Sequence, residues 1–563
     1  DADCPIERQA EQMGGWLGGR PAAAGTRVGA YEIVRELGRG GMGTVFLARR
    51  ADGQYRHDVA LKMIRRTVSA PDLESHFRRE IARHSRKDAD AYDDYGMAMV
   101  EMGRFAKPIL SMTPPDPMSL DPRGLLDLFS VGKRFRGMRY HDKVNQVQLL
   151  TMSAVDFLDQ WFETDALKAT MSASGIIGTF LGVRSPGTAY VLLHHYMGEI
   201  DGAFRSWGLS RGGTGAVSEA IAGAARRFGA EIRTEAPVAH ILTKNGRATG
   251  VALENGDEIQ ADIVVSSVDP RLTFERFMNT KDLPDDFVQG VRRYKYRGSS
   301  GKVNLALDAL PDFTCLPGPG EHLRGAISIS PNVDYMERAY DQAKYGQYSR
   351  RPYIDIVIPS LTDSTLAPPG KHVMSCFVQY APYDLREPST GDAPLWDQHR
   401  DAFGDAVIDT ISEYAPNLKD LILHKQVLTP LDIERTFGLS EGNIFQGELT
   451  MDQLMFNRPI PGFAQYRGPV KGLYMCGSSN HPGGGVMAAP GSNAAREILS
   501  VRVDGLLVRL AQAARVFGRP RLQHRAADHA LPRAWRTSRA SLAPRHPRPC
   551  RWLSACACCS CTR

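Results

Sequence analysis

The 563-residue sequence holds no apolar run as long as the roughly 18 residues a membrane-spanning helix needs, so no stretch is expected to cross a bilayer as a helix. Its first residues, DADCPIERQAEQMGG, lack the basic start and apolar core of an export signal, and the expected location is the cytoplasm. With Asp rather than Met as the first of them, a processed or incomplete chain is expected. Cysteine is scarce and badly distributed for disulfides: of nine, Cys550, Cys556, Cys558, Cys559 and Cys561 crowd near the end, leaving Cys4, Cys315, Cys376 and Cys476 scattered. No second cluster at finger-like spacing accompanies the terminal group, so no metal site is expected. Residues 501–563 contain no Lys, Glu, Ile, Tyr, Asn or Met, but thirteen Arg and two Asp. This tail carries +11 against a whole-chain net of +6, so the preceding 500 residues carry −5. Such a composition is expected to be disordered, with at most nonspecific affinity for nucleic acid and no specific nucleic-acid partner. It reads as a shifted frame or a fused fragment rather than a domain.

What is present is an ordinary globular body, 42% hydrophobic and 23% charged, long enough for two or more domains. Its organising stretch is 467–499, RGPVKGLYMCGSSNHPGGGVMAAPGSNAAREIL. Leu473, Tyr474, Met475 and Cys476 form a short apolar run ending at Gly477, the pattern of a buried parallel strand. A glycine-rich turn through Asn480, His481, Pro482, Gly483, Gly484 and Gly485 follows, and then a helix beginning near Pro490. Strand, glycine turn and helix N-terminus suit an anionic or polar cofactor.

This stretch resembles the C-terminal cofactor motif of the phytoene-desaturase-like FAD oxidoreductases. The resemblance spans residues 84–500 and includes LLTMSAVDFLDQWFE at 149–163, SPGTAYVLLHHYMGEIDG at 185–202, RGGTGAVSEAI at 211–221 and NIFQGEL at 443–449. It implies an α/β fold: a Rossmann-like FAD domain of the glutathione-reductase type with an inserted α+β substrate domain, mainly 270–465. It further implies FAD held by Gly477, Asn480, His481, Gly483, Gly484 and Gly485, with the backbone at Val238 meeting the adenine, and an apolar small-molecule substrate. No acid, base or nucleophile is assigned; His481 is the one candidate for a side chain near the flavin ring.

Residues 1–28 read as a flexible lead, and 31–66 then alternate apolar and polar residues as an antiparallel meander. Gly38-x-Gly40-x-x-Gly43-x-Val45 lies within it, and Val59-Ala60-Leu61-Lys62 follows. In a dinucleotide fold the third glycine opens a helix, whereas here Thr44 to Ala48 continue as a strand. Residues 29–83 therefore resemble the N-lobe of bacterial Ser/Thr protein kinases. That resemblance implies ATP phosphates under Gly38, Gly40 and Gly43, with Val45 beside them, Lys62 on the phosphates and Glu80 holding Lys62. Kinase activity is not expected. There is no DFG, and the sole HRD, His399-Arg400-Asp401, has Ala406 where a metal-binding Asn belongs and sits in the amphipathic stretch 396–416.

The kinase-like piece stands where the FAD fold should open with its own strand, glycine turn and helix, so the FAD domain is expected to lack its first βαβ unit. The readings left open are an FAD-dependent oxidoreductase, inactive if that loss is decisive, an ATP-binding kinase fragment, and a non-enzymatic chimera. In between, strands are expected at 230–234, 238–242, 248–253, 263–267, 302–307, 353–358 and 373–380, with turns at Asn245-Gly246 and Asn255-Gly256. Residues 156–168 read as one helix with Phe157, Leu158, Trp161 and Phe162 in the core. His194 and His195 follow the apolar run Val191-Leu192-Leu193 and are expected on a strand, pointing to opposite faces.

Overall fold

The computed structural model describes residues 27–28, 31–40, 43–50, 58–64, 77–118, 122–200, 203–204, 208–386, 395–500 and 553–555. The chain divides into two compact units, Asp1–Ala89 and Asp90–Arg563.

The first unit is an antiparallel sheet in the order β1 (Arg27–Val28), β2 (Tyr31–Gly40), β3 (Gly43–Arg50), β4 (Asp58–Ile64). Gly43 opens a strand, as the alternating pattern after it requires. Register places Gly38 opposite Val45 and Val45 opposite Lys62, so these three positions share one row across the sheet.

In chain order the second unit begins with helices. α1 (Arg86–Leu110), which starts just before the boundary, is followed by α2 (Pro122–Gly137), α3 (Tyr140–Thr151), α4 (Ala154–Asp159), α5 (Asp165–Ser172) and α6 (Thr188–Tyr196). Tyr95, Met99, Leu149, Phe157, Leu158, Phe162, Leu192 and Leu193 form a core among α1, α3, α4 and α6. After a short hairpin, β5 (Glu199–Ile200) and β6 (Ala203–Phe204), comes α7 (Gly215–Arg227). The meander β7 (Val238–Lys244), β8 (Arg247–Leu253), β9 (Glu258–Gln260) then leads into β10 (Val264–Ser266). The β7–β8 turn has Asn245 at φ 53° and Gly246 at φ 71°, the left-handed pair an Asn-Gly hairpin needs.

The inserted half is a five-stranded sheet in the order β12–β13–β14–β11–β15, formed by β11 (Ser300–Leu307), β12 (Ile327–Ile329), β13 (Tyr353–Val357), β14 (His372–Gln379) and β15 (Ile422–Leu428). Helix α8 (Asp285–Arg293) precedes it and α9 (Val333–Lys344) joins β12 to β13. α10 (Trp396–Ser412) lays Trp396, Phe403, Val407 and Ile411 against Val303, Leu305, Ile354, Ile356 and Cys376 of the sheet. The HRD string lies inside α10, where Arg400 pairs with Asp397 and Asp432. It is a helix-surface ion pair and not a catalytic loop. After α11 (Leu418–Leu421) and α12 (Pro430–Phe437) the chain returns to β16 (Leu473–Met475), parallel to β10, and enters α13 over 489–500.

Four expectations need correction. His194 and His195 lie on α6, not on a strand: a continuous apolar run is ambiguous by periodicity, and this one is a helix buried almost all round, started by Gly187 at φ 87°. Residues 230–234 form no strand. No strand among the described residues pairs with them, and Glu231 and Arg233 instead bind each other in solvent. The single helix over 156–168 is two, α4 and α5, broken at Trp161 to Thr164, although Phe157, Leu158 and Phe162 are buried as expected. Finally, disorder is expected throughout the tail, but Leu553–Ala555 pairs parallel with the second edge of β10 and is β17. An open strand edge presents unpaired N–H and C=O groups that accept any extended segment in reach. The rest of 501–563 lies outside the described residues.

Candidate functional site

β16 is wholly buried between Tyr466, whose carbonyl accepts the Met475 N–H at 2.9 Å, and β10, whose Ser266 carbonyl accepts the Cys476 N–H at 2.8 Å. The chain leaves the strand at Gly477. A Cβ there would sit 2.1 Å from the Ser267 carbonyl oxygen and 2.5 Å from Gln446 Oε1, so no side chain can be carried at this exit. Gly484 is closed to side chains by Phe445, whose ring would lie 2.4 Å from a Cβ. Residues Ser479 to Gly484 are buried, and the chain surfaces only at 485–488 before α13.

A single guanidinium holds this turn. Arg458 is fully buried and donates to the carbonyls of Phe445, Gly447, Glu448, Gln453 and Ser478 at 2.8–3.3 Å, with no carboxylate among these partners. Burial lowers its pKa below the ordinary arginine value. Gln446 completes the frame, donating to the Ser267 carbonyl and accepting from the Ser479 N–H at 3.2 Å. Behind the turn, Tyr466 Oη donates to the His481 carbonyl at 2.7 Å and accepts from Asn493 Nδ2 of α13 at 2.9 Å.

Among the described residues, three polar atoms in this frame have no partner: His194 Nδ1, His481 Nδ1 and Asn480 Oδ1. All three belong to buried residues. Their chemistry is the same. His194 Nε2 lies 3.2 Å from the Gly484 carbonyl and His481 Nε2 2.8 Å from the Ile109 carbonyl. A carbonyl can only accept, so each Nε2 carries the proton and each Nδ1 is left with a lone pair. The site thus offers three unused acceptors beside a buried cation.

Both rings are neutral at pH 7. Burial first, then the nearby His195 for His194, lowers that ring's pKa from 6.5 to about 4; burial, with Arg458 adding a little, lowers His481 to about 4. The unfolded chain therefore binds more protons than the folded one between about 4 and 6.5, so stability is full above 6.5 and falls as pH drops through that window. Thermal unfolding followed across this range is expected to show a falling midpoint, with a shallower fall in His194→Gln. Identical pH slopes for the variant and the native chain would refute the assignment.

The structure brings Gly477, Asn480, His481, Gly483, Gly484 and Gly485 together in one turn. Val238 stands at the start of β7, opposite Leu253, beside an open cavity of 760 Å³ lined by 232–237, 253–255 and 257. Arg458, Gln446 and Phe445 are not singled out by the sequence, and His194 is marked there only as one of an adjacent histidine pair. Phe445 and Gln446 lie in the quoted string NIFQGEL, whereas no local pattern marks Arg458 as buried. In the first unit Gly38, Gly40, Gly43, Val45 and Lys62 lie on β2–β4. Glu80 meets Arg83 at 2.7 Å, and the Lys62 side chain lies outside the described residues.

Residues 126–388 match the family described as flavin containing amine oxidoreductase. The chain is 40% identical over 431 residues to the rat protein named pyridine nucleotide-disulfide oxidoreductase domain-containing protein 2, covering 74% of this chain and 73% of that one. It is 26% identical over 310 residues to the lycopene-forming phytoene desaturase of Pseudescherichia vulneris, covering 54% of this chain and 58% of that enzyme. Among solved structures it is similar to an oxidoreductase from Methanosarcina mazei at TM-score 0.42 and 18% identity, over 65% of this chain and 74% of that one.

Proposed function

The chain belongs to the family of pyridine nucleotide-disulfide oxidoreductase domain-containing protein 2, and from that premise we propose that its second unit is the flavin-ring and substrate side of an FAD-dependent oxidoreductase acting on an apolar compound. The observation that carries this reading is the set of three buried acceptors without a partner among the described residues, two on the glycine turn at the carboxyl end of parallel strand β16 and one, His194 Nδ1, on α6 against that turn. Ligands of open α/β sheets collect at that end of the strands. FAD fits this part of the site, because its imide N–H and ribityl hydroxyls are donors and the residues lacking partners are acceptors. Bound there, the flavin would supply hydride acceptance.

The chain's own residues do the rest. Arg458 fixes the turn through five carbonyls, and Tyr190, Val191, Phe445, Leu449 and Leu454 form an apolar cluster at its back that keeps water out. His194 and His481, neutral with Nδ1 free, can each take up one proton at that atom. Phytoene, the apolar compound in the relative's name, supports an apolar substrate here.

The phosphate end of the cofactor is less well provided. A dinucleotide fold holds the pyrophosphate on the helix that follows its first strand. Here the second neighbour of β10 among the described residues is the three-residue β17, and the sheet preceding α1 in the sequence is antiparallel. Weak FAD binding follows from this reading, and the absorbance spectrum of the purified chain tests it.

For residues 29–83 the shared row of Gly38, Val45 and Lys62 supports a kinase N-lobe-like sheet without phosphotransfer. Labelled ATP with generic protein substrates is expected to give no labelled product. Transfer abolished by Lys62→Met would overturn that expectation.

A further inference from the structure

Within the second unit, helices α2 and α3 leave an apolar surface that none of its other described elements covers. None of the described side chains of α2 is buried. Its half-buried side, with Leu128, Val131 and Phe135, leans on α1, where Phe105 and Phe135 stack edge to face at 5.9 Å. At about 100° per residue, Leu125, Leu126 and Phe129 occupy a different sector, and they are 46%, 68% and 72% exposed. Helix α3 repeats the arrangement: Tyr140, Val144 and Val147 form an i, i+4, i+7 stripe, and Tyr140 is 83% exposed. Between the two helices Phe135, Lys143, Val144, Val147 and Gln148 line a shallow groove of 290 Å³. Exposed apolar residues scattered singly mean nothing, but a continuous pair of helical stripes does.

The charges on this surface select its occupant. Lys133 and Arg136 fall in the same sector of α2 as Leu125 and Phe129, and Arg134 and Lys143 flank it. None of these four cations forms an ion pair among the described residues, although Arg139 next to them does, with Asp142. Unpaired cations in register with apolar side chains are how a helix lies in the interface of an anionic bilayer, with its apolar groups inserted and its cations among the headgroups. No helix among the described residues is long and apolar enough to cross a membrane, so the surface would rest on the bilayer and not enter its core.

We propose that the α2–α3 face docks the chain on an anionic lipid surface. The proposal is independent of the cofactor. A competing source of affinity exists in the same chain, the Arg-rich segment 501–563, so the experiment must read the helix itself. Phe129→Trp places a reporter on the face at an exposed position. Vesicles of phosphatidylcholine containing phosphatidylserine are expected to shift its emission to the blue relative to the native chain, while phosphatidylcholine alone leaves it in place and high salt reverses the shift. Lys133→Glu with Arg136→Glu, added to the reporter, is expected to lower the vesicle partition coefficient by about tenfold or more. Sedimentation with anionic vesicles but no blue shift would assign the binding to the tail and overturn the proposal. A shift that follows protein concentration without vesicles would assign the face to a second copy and overturn it equally. If the double variant fails to fold, the salt reversal in the reporter chain decides alone.

Discussion

Purified from a host rich in flavin, the chain is expected to come off the column colourless or with FAD far below one per molecule. The three acceptors at His194, His481 and Asn480 can bind the donor edge of a flavin, but neutral hydrogen bonds contribute only about 1 kcal/mol each. A pyrophosphate seated on a helix N-terminus adds charge-assisted bonds, and without them roughly 4 kcal/mol, or about a thousandfold in Kd, is lost. Replacing residues 1–84 with the opening strand, glycine turn and helix of an intact relative should then restore the yellow colour. Stoichiometric flavin in the native chain would show the reading wrong. A colourless graft would place the defect elsewhere.

Arg458→Met is expected to cost about 3–5 kcal/mol of stability, because several buried acceptors lose their donor together at roughly 1–3 kcal/mol each before relaxation. Five carbonyls from three separate segments lose their donor at once, and the bonds to four of them, at Phe445, Gly447, Glu448 and Gln453, are buried. Arg458→Lys should recover less than half of that loss, because an ammonium has three donors on one centre and cannot span the fork. Urea unfolding measures both. A midpoint shift worth less than about 1 kcal/mol for the Met variant would mean that the turn is held by something else.

Much of the fold was legible because it is written locally. Asn245-Gly246 announces its hairpin, and the strands at β11, β13 and β14 alternate in and out as their sequences do. Leu473-Tyr474-Met475 reads as a buried parallel strand and is one. Errors fall where local pattern is silent. Val191-Leu192-Leu193 is apolar on every side, so only the packing of α6 among other helices decides that His194 is helical. The glycines of the turn were read as room for a ligand, yet at Gly477 and Gly484 the room is taken by Ser267 and Phe445, residues remote in sequence. Arg458 is the clearest case: its role depends on carbonyls whose positions the tertiary fold sets.

The pairing of β10 with β16 also has a temporal side. Val264 and its partner Leu473 are separated by about two hundred residues, and the whole inserted sheet lies between them. At roughly 5–20 residues per second of synthesis, β10 leaves the ribosome on the order of ten to forty seconds before its partner. During that interval it is a parallel edge awaiting a strand not yet made, the slow and aggregation-exposed kind of contact. The glycine turn can therefore form only after release of nearly the entire body, and yield of soluble protein should depend on chaperones that shield that edge while the chain grows.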